Sequence, residues 1–312
     1  MLFTTGTGSI QFSRMAFTNQ IASKTKTAVL ITLSNTAKKN ALSPVMMHQL
    51  GKTLDSVAAM ASKDKELVAV ILAGDGNTFC SGFDLSSNVE SGKDPVHSQK
   101  GEDKNENPFF TMDYANSMAT LMHTNMLKLH RLPLISVAAV DGYALGGGCE
   151  LMSWCDLRVM SAHAKAGFLQ TKMGVVCGWG GATRLRTGIM SPGEALRLLS
   201  CPRIKSAHEC YTSKLITHIE SSSPSSHHPP TPTHHTTAME IIERDVFGRD
   251  WVDAYPAAVR SMKKLMICGV AGDGIDLEGM LKRERQEFCG LWGGSDNIEA
   301  VSSASSAGKS RL

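Results

Sequence analysis

Apolar positions in this chain fall into short unbroken runs separated by stretches with helical spacing. Ala28 to Leu33 (AVLITL) is apolar and rich in β-branched residues, which predicts a strand. The loop Ser34 to Ser43 (SNTAKKNALS) follows it. Ser43-Pro44 then opens a helix, because serine suits the N-cap and proline the first helical position. Val45, Met46, Leu50, Leu54 and Val57 give that helix one apolar face. Leu67 to Ala73 (LVAVILA) and Leu134 to Val140 (LISVAAV) lack alternation, as parallel strands covered on both faces do. Met112 to Leu132 reads as a Met- and Leu-rich helix ended by Pro133. Strand, helix, strand, helix predicts an α/β fold.

Capping boxes mark two later helix starts, Ser191-Pro192-Gly193-Glu194 and Ser206-Ala207-His208-Glu209. Residues 86–107 are polar and predict a surface segment. Residues 221–238 (SSSPSSHHPPTPTHHTTA) are of low complexity and are expected to be a disordered insert. Their histidines, His227, His228, His234 and His235, have no scaffold to fix a metal. Helical spacing returns from Met239 to about Ala300. The resulting organisation is an α/β core over 21–220, the insert over 221–238 and a helical C-terminal region over 239–312. Residues 1–20 contain no acid and one charge, Arg14. A transit peptide is acid-free but Arg-rich, so this segment is expected to be a flexible N-terminus, with weak targeting as the alternative.

With 312 residues, 42% hydrophobic and 20% charged, the composition is that of a soluble globular protein. A net charge of +3, with Lys263-Lys264 the nearest basic run, argues against a nucleic-acid partner. No apolar run reaches the roughly 18–20 residues of a membrane span, so no membrane association is expected. The 8 cysteines form no Cys-x-x-Cys pair, so no zinc site is expected. They read as buried thiols of a reducing compartment, which predicts a cytoplasmic protein, with mitochondrial as the alternative.

Chemistry concentrates in two segments at strand ends. Asp141 to Asp156 (DGYALGGGCELMSWCD) follows a buried strand and enters a helix. Three consecutive glycines there let another group approach the backbone. The helix N-terminus offers free N–H groups to a developing negative charge. The spacing matches neither a P-loop nor a dinucleotide fingerprint. Phe79 to Leu85 (FCSGFDL) sits after the strand Leu67–Ala73, and Ser81-Gly82 again permits close approach. Two amides from two strand ends converging on one oxygen would form an oxyanion hole.

These two segments, with Asn40-Ala41-Leu42 upstream, resemble the crotonase (enoyl-CoA hydratase/isomerase) superfamily in order and spacing from about Ala28 to Ile216. MGVVCGWGGATRL and FCGLWGGSDNIEAV extend the likeness, specifically to its decarboxylase branch. The resemblance implies a crotonase-like ββα-superhelix core and a C-terminal trimerisation region, assembled as homotrimers or hexamers. It implies an acyl-CoA substrate whose thioester oxygen is held by the N–H groups of Phe83 and Gly147. No cofactor or metal is implied, because the thioester is itself the electron sink.

By the same resemblance Lys38, Ala41 and Leu42 belong to the segment that cradles the CoA. Ser81, Gly82, Asp84 and Gly146 flank the two amides, and Trp179 packs against the acyl pocket. Glu150 stands at the acid/base position, and it, or a water it orders, is the candidate proton donor. A hydratase of the family uses a second glutamate, whose position is Gln170 here. Glutamine cannot titrate, so the paired-carboxylate requirement of hydration fails. The expected reaction is decarboxylation of a short branched malonyl-type thioester, ethylmalonyl-CoA or methylmalonyl-CoA, as metabolite proofreading. The alternatives are an enoyl-CoA isomerase or hydratase, and a non-catalytic acyl-CoA-binding protein. Three residues depart from the family pattern: Cys177 and Thr36 stand at positions usually proline, and Lys214 at one usually glycine.

Overall fold

Unbroken apolar runs become buried strands, and helices cover both faces of the resulting sheet. The computed structural model describes residues 8–18, 25–85, 111–219, 242, 254–267, 277–292 and 294–299. The surface segment predicted at 86–107 and the insert predicted at 221–238 lie outside the described residues. The main sheet has six strands in the order β1-β2-β3-β4-β6-β9. Strands β2 (Thr25–Ser34), β3 (Leu67–Gly74), β4 (Ile135–Val140), β6 (Leu157–Met160) and β9 (His218–Ile219) run parallel. A smaller sheet pairs β5 (Tyr143–Leu145) with β7 (Lys165–Gly167) and β7 with β8 (Lys205–Ser206).

Every residue of β3 is buried, as its unbroken apolar run requires. Val70 and Leu72 join the cluster formed with α1 (Pro44–Lys63) and α2 (Met112–Arg131), through Leu50, Leu54, Met122 and Met126. Ile71 and Ala73 face the other side, where Val259 of α7 (Pro256–Ile267) packs. Helix α1 begins as predicted, with the Ser43 side chain accepting from the Met46 N–H and proline in the first turn. Helices α4 (Gly181–Gly188), α5 (Pro192–Ser200) and α6 (Ala207–Thr212) follow, and both predicted capping boxes are formed, at the starts of α5 and α6. Just beyond α6, Lys214 adopts φ 59°, the left-handed conformation that a glycine would take without strain.

The N-terminus corrects the sequence reading. Residues 9–18 are not a flexible end but β1 (Ser9–Thr18), paired antiparallel with β2 along its whole length, from Ser9 opposite Ser34 to Thr18 opposite Thr25. Ile10 and Met15 pack against the two core clusters, and Arg14 pairs with Asp64 at 2.6 Å. The run carries exposed polar positions, as an edge strand does.

The C-terminal region is helical where it is described, in α7 and in α8 (Leu277–Leu291). Helix α7 returns to the core. Arg260 donates to the carbonyls of Ala61 and Asp64 at the end of α1, at 2.6 and 2.9 Å. Lys263 reaches Asp156, just after α3 (Gly147–Trp154), at 2.6 Å.

Candidate active site

The backbone around Phe83 is held between two neighbours. On one edge, Cys80 pairs with Ala144 of β5: Cys80 N–H donates to the Tyr143 carbonyl at 3.0 Å, and Leu145 N–H to the Cys80 carbonyl at 2.9 Å. On the other edge, Leu42 N–H donates to the Gly82 carbonyl at 2.8 Å, and Asp84 N–H to the Leu42 carbonyl at 3.1 Å. Leu42 therefore engages the residues on either side of Phe83. In a parallel bridge the enclosed residue turns its own N–H to the opposite edge. For Phe83 that edge is the one along β5 and α3.

The bridge that sets Cys80 opposite Ala144 runs the segment towards the start of α3. The register breaks at Gly82, whose φ of 100° turns its carbonyl to Leu42. A side chain there would lie 3.0 Å from the Gly147 nitrogen, so the two segments touch at this point. Gly147 is the first residue of α3, and its N–H has no acceptor within the helix. The glycine triplet has steric causes: Gly146 has φ 53°, a Cβ on Gly147 would strike the Trp179 ring, and one on Gly148 the Cys80 carbonyl. The structure thus brings together Ser81, Gly82, Phe83, Gly146, Gly147 and Trp179.

Lys38, Ala41, Leu42 and Asp84 join the same cluster. Ser81 N–H donates to the Lys39 carbonyl at 3.0 Å and Ser81 Oγ to the Lys38 carbonyl at 3.1 Å. Lys38 Nζ pairs with Asp84 at 2.8 Å. The side chains of Ala41 and Leu42 are buried, so these residues offer a ligand only backbone. Sequence reasoning gave Asn40 no role of its own. It adopts φ 54°, accepts the Asn35 N–H, and donates to the carbonyls of Asp75 and Thr78. Its signal was an asparagine beside Lys39 in a tight loop, since asparagine tolerates the left-handed conformation.

Glu150, on the first turn of α3, is 2% exposed. Its Oε2 accepts from the N–H groups of Trp179 and Gly181, each at 2.8 Å. Its Oε1 accepts from Gln170 Nε2 at 2.8 Å and from Gly178 N–H at 3.3 Å. Burial raises the Glu150 carboxyl above its ordinary range, outweighing the opposing donors from Gly181, Gln170, Trp179 and Gly178. Four donors occupy the acceptor positions of both oxygens, which suits an ionised carboxylate. Glu150 therefore ties α3 to the loop 178–181 and holds Trp179, whose ring covers Gly147. Trp154 Nε1 fixes the same loop from the other end of α3, donating to the Trp179 carbonyl at 3.1 Å.

Cys149 donates to the Ala144 carbonyl and accepts from the Gly167 N–H, and burial holds its thiol far above the usual range. It is a packing residue. Cys177 stands beside this clamp, its thiol pushed up to about 12 by burial and by Glu150. Tyr114 of α2, which the sequence did not mark, packs its ring against Phe83 at 6.4 Å between centroids. Gln170 Oε1 is buried, and no donor among the described residues reaches it.

Two glycine-bearing segments at strand ends thus meet at Gly82 and Gly147. Residues 23–209 match the family Enoyl-CoA hydratase/isomerase. The chain belongs to this family, also called the crotonase family, whose enzymes act on acyl-CoA thioesters. Among curated relatives it is similar to ethylmalonyl-CoA decarboxylase of Gallus gallus, 33% identical over 87% of this chain and 78% of that protein. The protein of the same name from Pongo abelii is 31% identical over 87% and 78%. Among solved structures, an enoyl-CoA hydratase from Bacillus anthracis superposes with a TM-score of 0.69 over 96% of both chains. Its identity is 22%, so that likeness is one of fold.

Proposed function

We propose that this protein decarboxylates a short branched malonyl-type thioester, ethylmalonyl-CoA and methylmalonyl-CoA among them, and so removes a misplaced carboxylate from an acyl-CoA. The observation that carries the reading is the contact of Gly82 with the start of α3 at Gly147, on a helix whose carboxylate, Glu150, pairs with the amide of Gln170 rather than with a second carboxylate. The relatives named ethylmalonyl-CoA decarboxylase support the same choice of substrate.

The thioester oxygen accepts from the N–H groups of Phe83 and Gly147. Each donor of such a pair contributes about 3–4 kcal/mol to the transition state. The substrate carboxylate stands out of the thioester plane. Its bond to C2 breaks, the electron pair enters the thioester as an enolate, and CO₂ leaves. The enolate carbon then takes a proton from water, and the hydroxide formed combines with CO₂ as bicarbonate. Gln170 Oε1, a buried acceptor without a protein donor, is suited to hold that water. Trp179 walls the acyl pocket beside Gly147.

The assembly belongs to the same proposal. Helices α7 and α8 enclose an apolar groove of about 790 Å³, with Met262, Met266, Phe288 and Trp292 exposed along it. A large exposed apolar patch marks an interface, here between copies in a homotrimer or hexamer.

The test is incubation of the purified chain with ethylmalonyl-CoA, methylmalonyl-CoA, crotonyl-CoA and a 3-enoyl-CoA, followed by mass spectrometry. Butyryl-CoA from the first substrate is the expected product. Turnover of the enoyl esters without decarboxylation would replace this reading by an isomerase or hydratase.

A further inference from the structure

Two cations reach the core from α7, the half-buried Arg260 and the buried Lys263, and Lys263 grips the residue that follows the helix carrying the candidate site. Lys263 Nζ lies 2.6 Å from both carboxylate oxygens of Asp156, and its side chain is 3% exposed. Asp156 also accepts from the N–H and Oγ of Ser136 on β4, at 2.8 and 2.7 Å. Its own N–H donates back to Ser136 Oγ at 3.0 Å. It is thereby fixed to the central sheet on one side and to α7 on the other.

Asp156 follows the C-cap of α3, the eight-residue helix that starts with Gly147 and carries Glu150. The carbonyls at this end of α3 are held by cations. Arg184 Nε donates to the Ser153 carbonyl at 3.2 Å, and Arg158 Nη1 to those of Cys155 and Asp156 at 2.8 and 3.1 Å. Positive charge at a helix C-terminus is favourable. A buried ion pair adds little net stability over an apolar pair of the same shape, so its consequence here is positional. An eight-residue helix rises only about 12 Å, so a shift at Asp156 is carried directly to the amide of Gly147.

We infer that Lys263 is a positioning residue for the candidate active site: by gripping Asp156 it ties α3 to α7 and holds the amide of Gly147 in place. This rests on the decarboxylase reading for its kinetic readout but not for its structural one. Arg260, one turn earlier, supplies a second anchor on the end of α1 and keeps α7 on the core when the Lys263 grip is removed.

The experiment compares the full chain with the neutral pair Lys263→Met/Asp156→Asn and with Lys263→Arg. The neutral pair removes both members of the ion pair together, so neither is left without the other. The expected result is a kcat for ethylmalonyl-CoA at least tenfold lower, with KM within threefold, and retention of at least a third of wild-type kcat in Lys263→Arg. Amide exchange read by mass spectrometry should be at least fivefold faster in the peptide covering α3 and unchanged in α1. Wild-type kcat together with wild-type exchange in the neutral pair would overturn the proposal. Should that variant not be recovered folded, Lys263→Gln is read by the same two criteria. If the wild-type chain does not decarboxylate ethylmalonyl-CoA, the functional reading fails, whereas the exchange comparison still decides the latch.

Discussion

Gln170 donates its side-chain amide to Oε1 of Glu150 at 2.8 Å, so one carboxylate and one amide meet where two carboxylates would share a water. Gln170→Glu exchanges that donor for a second acid. Two carboxylates at this distance cannot both ionise, and one keeps a proton near neutral pH. The expected outcome is a fall in decarboxylation of at least tenfold and the appearance of crotonyl-CoA hydration. Both are read by mass spectrometry of the acyl-CoA products. Unchanged decarboxylation would remove Gln170 from the site.

The packing of Trp179 on Gly147 gives a second prediction. A Cβ on Gly147 meets the outer edge of the six-membered ring of the indole, a rigid body that cannot swing aside as the tip of a flexible side chain would. Gly147→Ala should cost about 1–3 kcal/mol of stability by overpacking. It should also lower kcat about a hundredfold, because the N–H aimed at the thioester oxygen is displaced. Adding Trp179→Leu makes room and should recover most of the lost stability in thermal melts. Recovery of activity as well would show that the ring acts only by packing.

The segments FCSGFDL and DGYALGGGCEL were legible because glycine reports a backbone need locally. A run of three glycines at a strand–helix junction has few explanations, and here each one meets a steric or conformational demand. Buried strands and capping boxes were legible for the same reason, since their signals lie within a few residues. The donors to Glu150 were not. Gly178, Trp179 and Gly181 stand 28 to 31 residues away in sequence, and backbone N–H groups leave no mark on residue identity. β1 was missed because an exposed edge strand of Ser, Gln, Arg and Phe lacks the apolar run that marked β3. The grip of Lys263 on Asp156 spans 107 residues and shows in sequence as an ordinary helical lysine.

His130 gives the folded state a pH dependence. It packs edge-on to Trp154 at 5.9 Å, and its pKa is lowered from 6.5 to about 4 by burial and by the charges of Arg184 and Lys263. The unfolded chain therefore binds a proton between these values that the folded chain refuses. Stability from this residue is complete above pH 6.5 and is lost as pH falls towards about 4. After discounting for its partial exposure, the loss is of order 1–3 kcal/mol. Urea titrations at pH 7 and pH 4.5 should show it, and His130→Phe should flatten the difference. An equal pH dependence in that variant would assign the loss to other groups.

Glu150→Gln separates proton transfer from positioning. The wild-type carboxylate accepts four hydrogen bonds, and three of them come from the backbone of the 178–181 loop. In the variant the new amide keeps its oxygen towards Trp179 and Gly181 and turns its NH₂ towards Gln170. Gln170 can rotate its own amide to accept it, presenting Nε2 in place of Oε1 to the water, which can accept as well as donate, and the 3.3 Å bond from Gly178 is given up. The loop and the Trp179 ring should stay in place, at a cost of about 1 kcal/mol. A decarboxylase that draws its proton from water should then keep kcat for ethylmalonyl-CoA within about tenfold. An isomerase that moves a proton between two carbons through Glu150 should lose its activity altogether. Glu150→Ala removes every bond of the clamp and should abolish either reaction. Steady-state kinetics on ethylmalonyl-CoA and a 3-enoyl-CoA with both variants decide between the two roles. Loss of decarboxylation in a folded Glu150→Gln protein would make this carboxylate the proton donor.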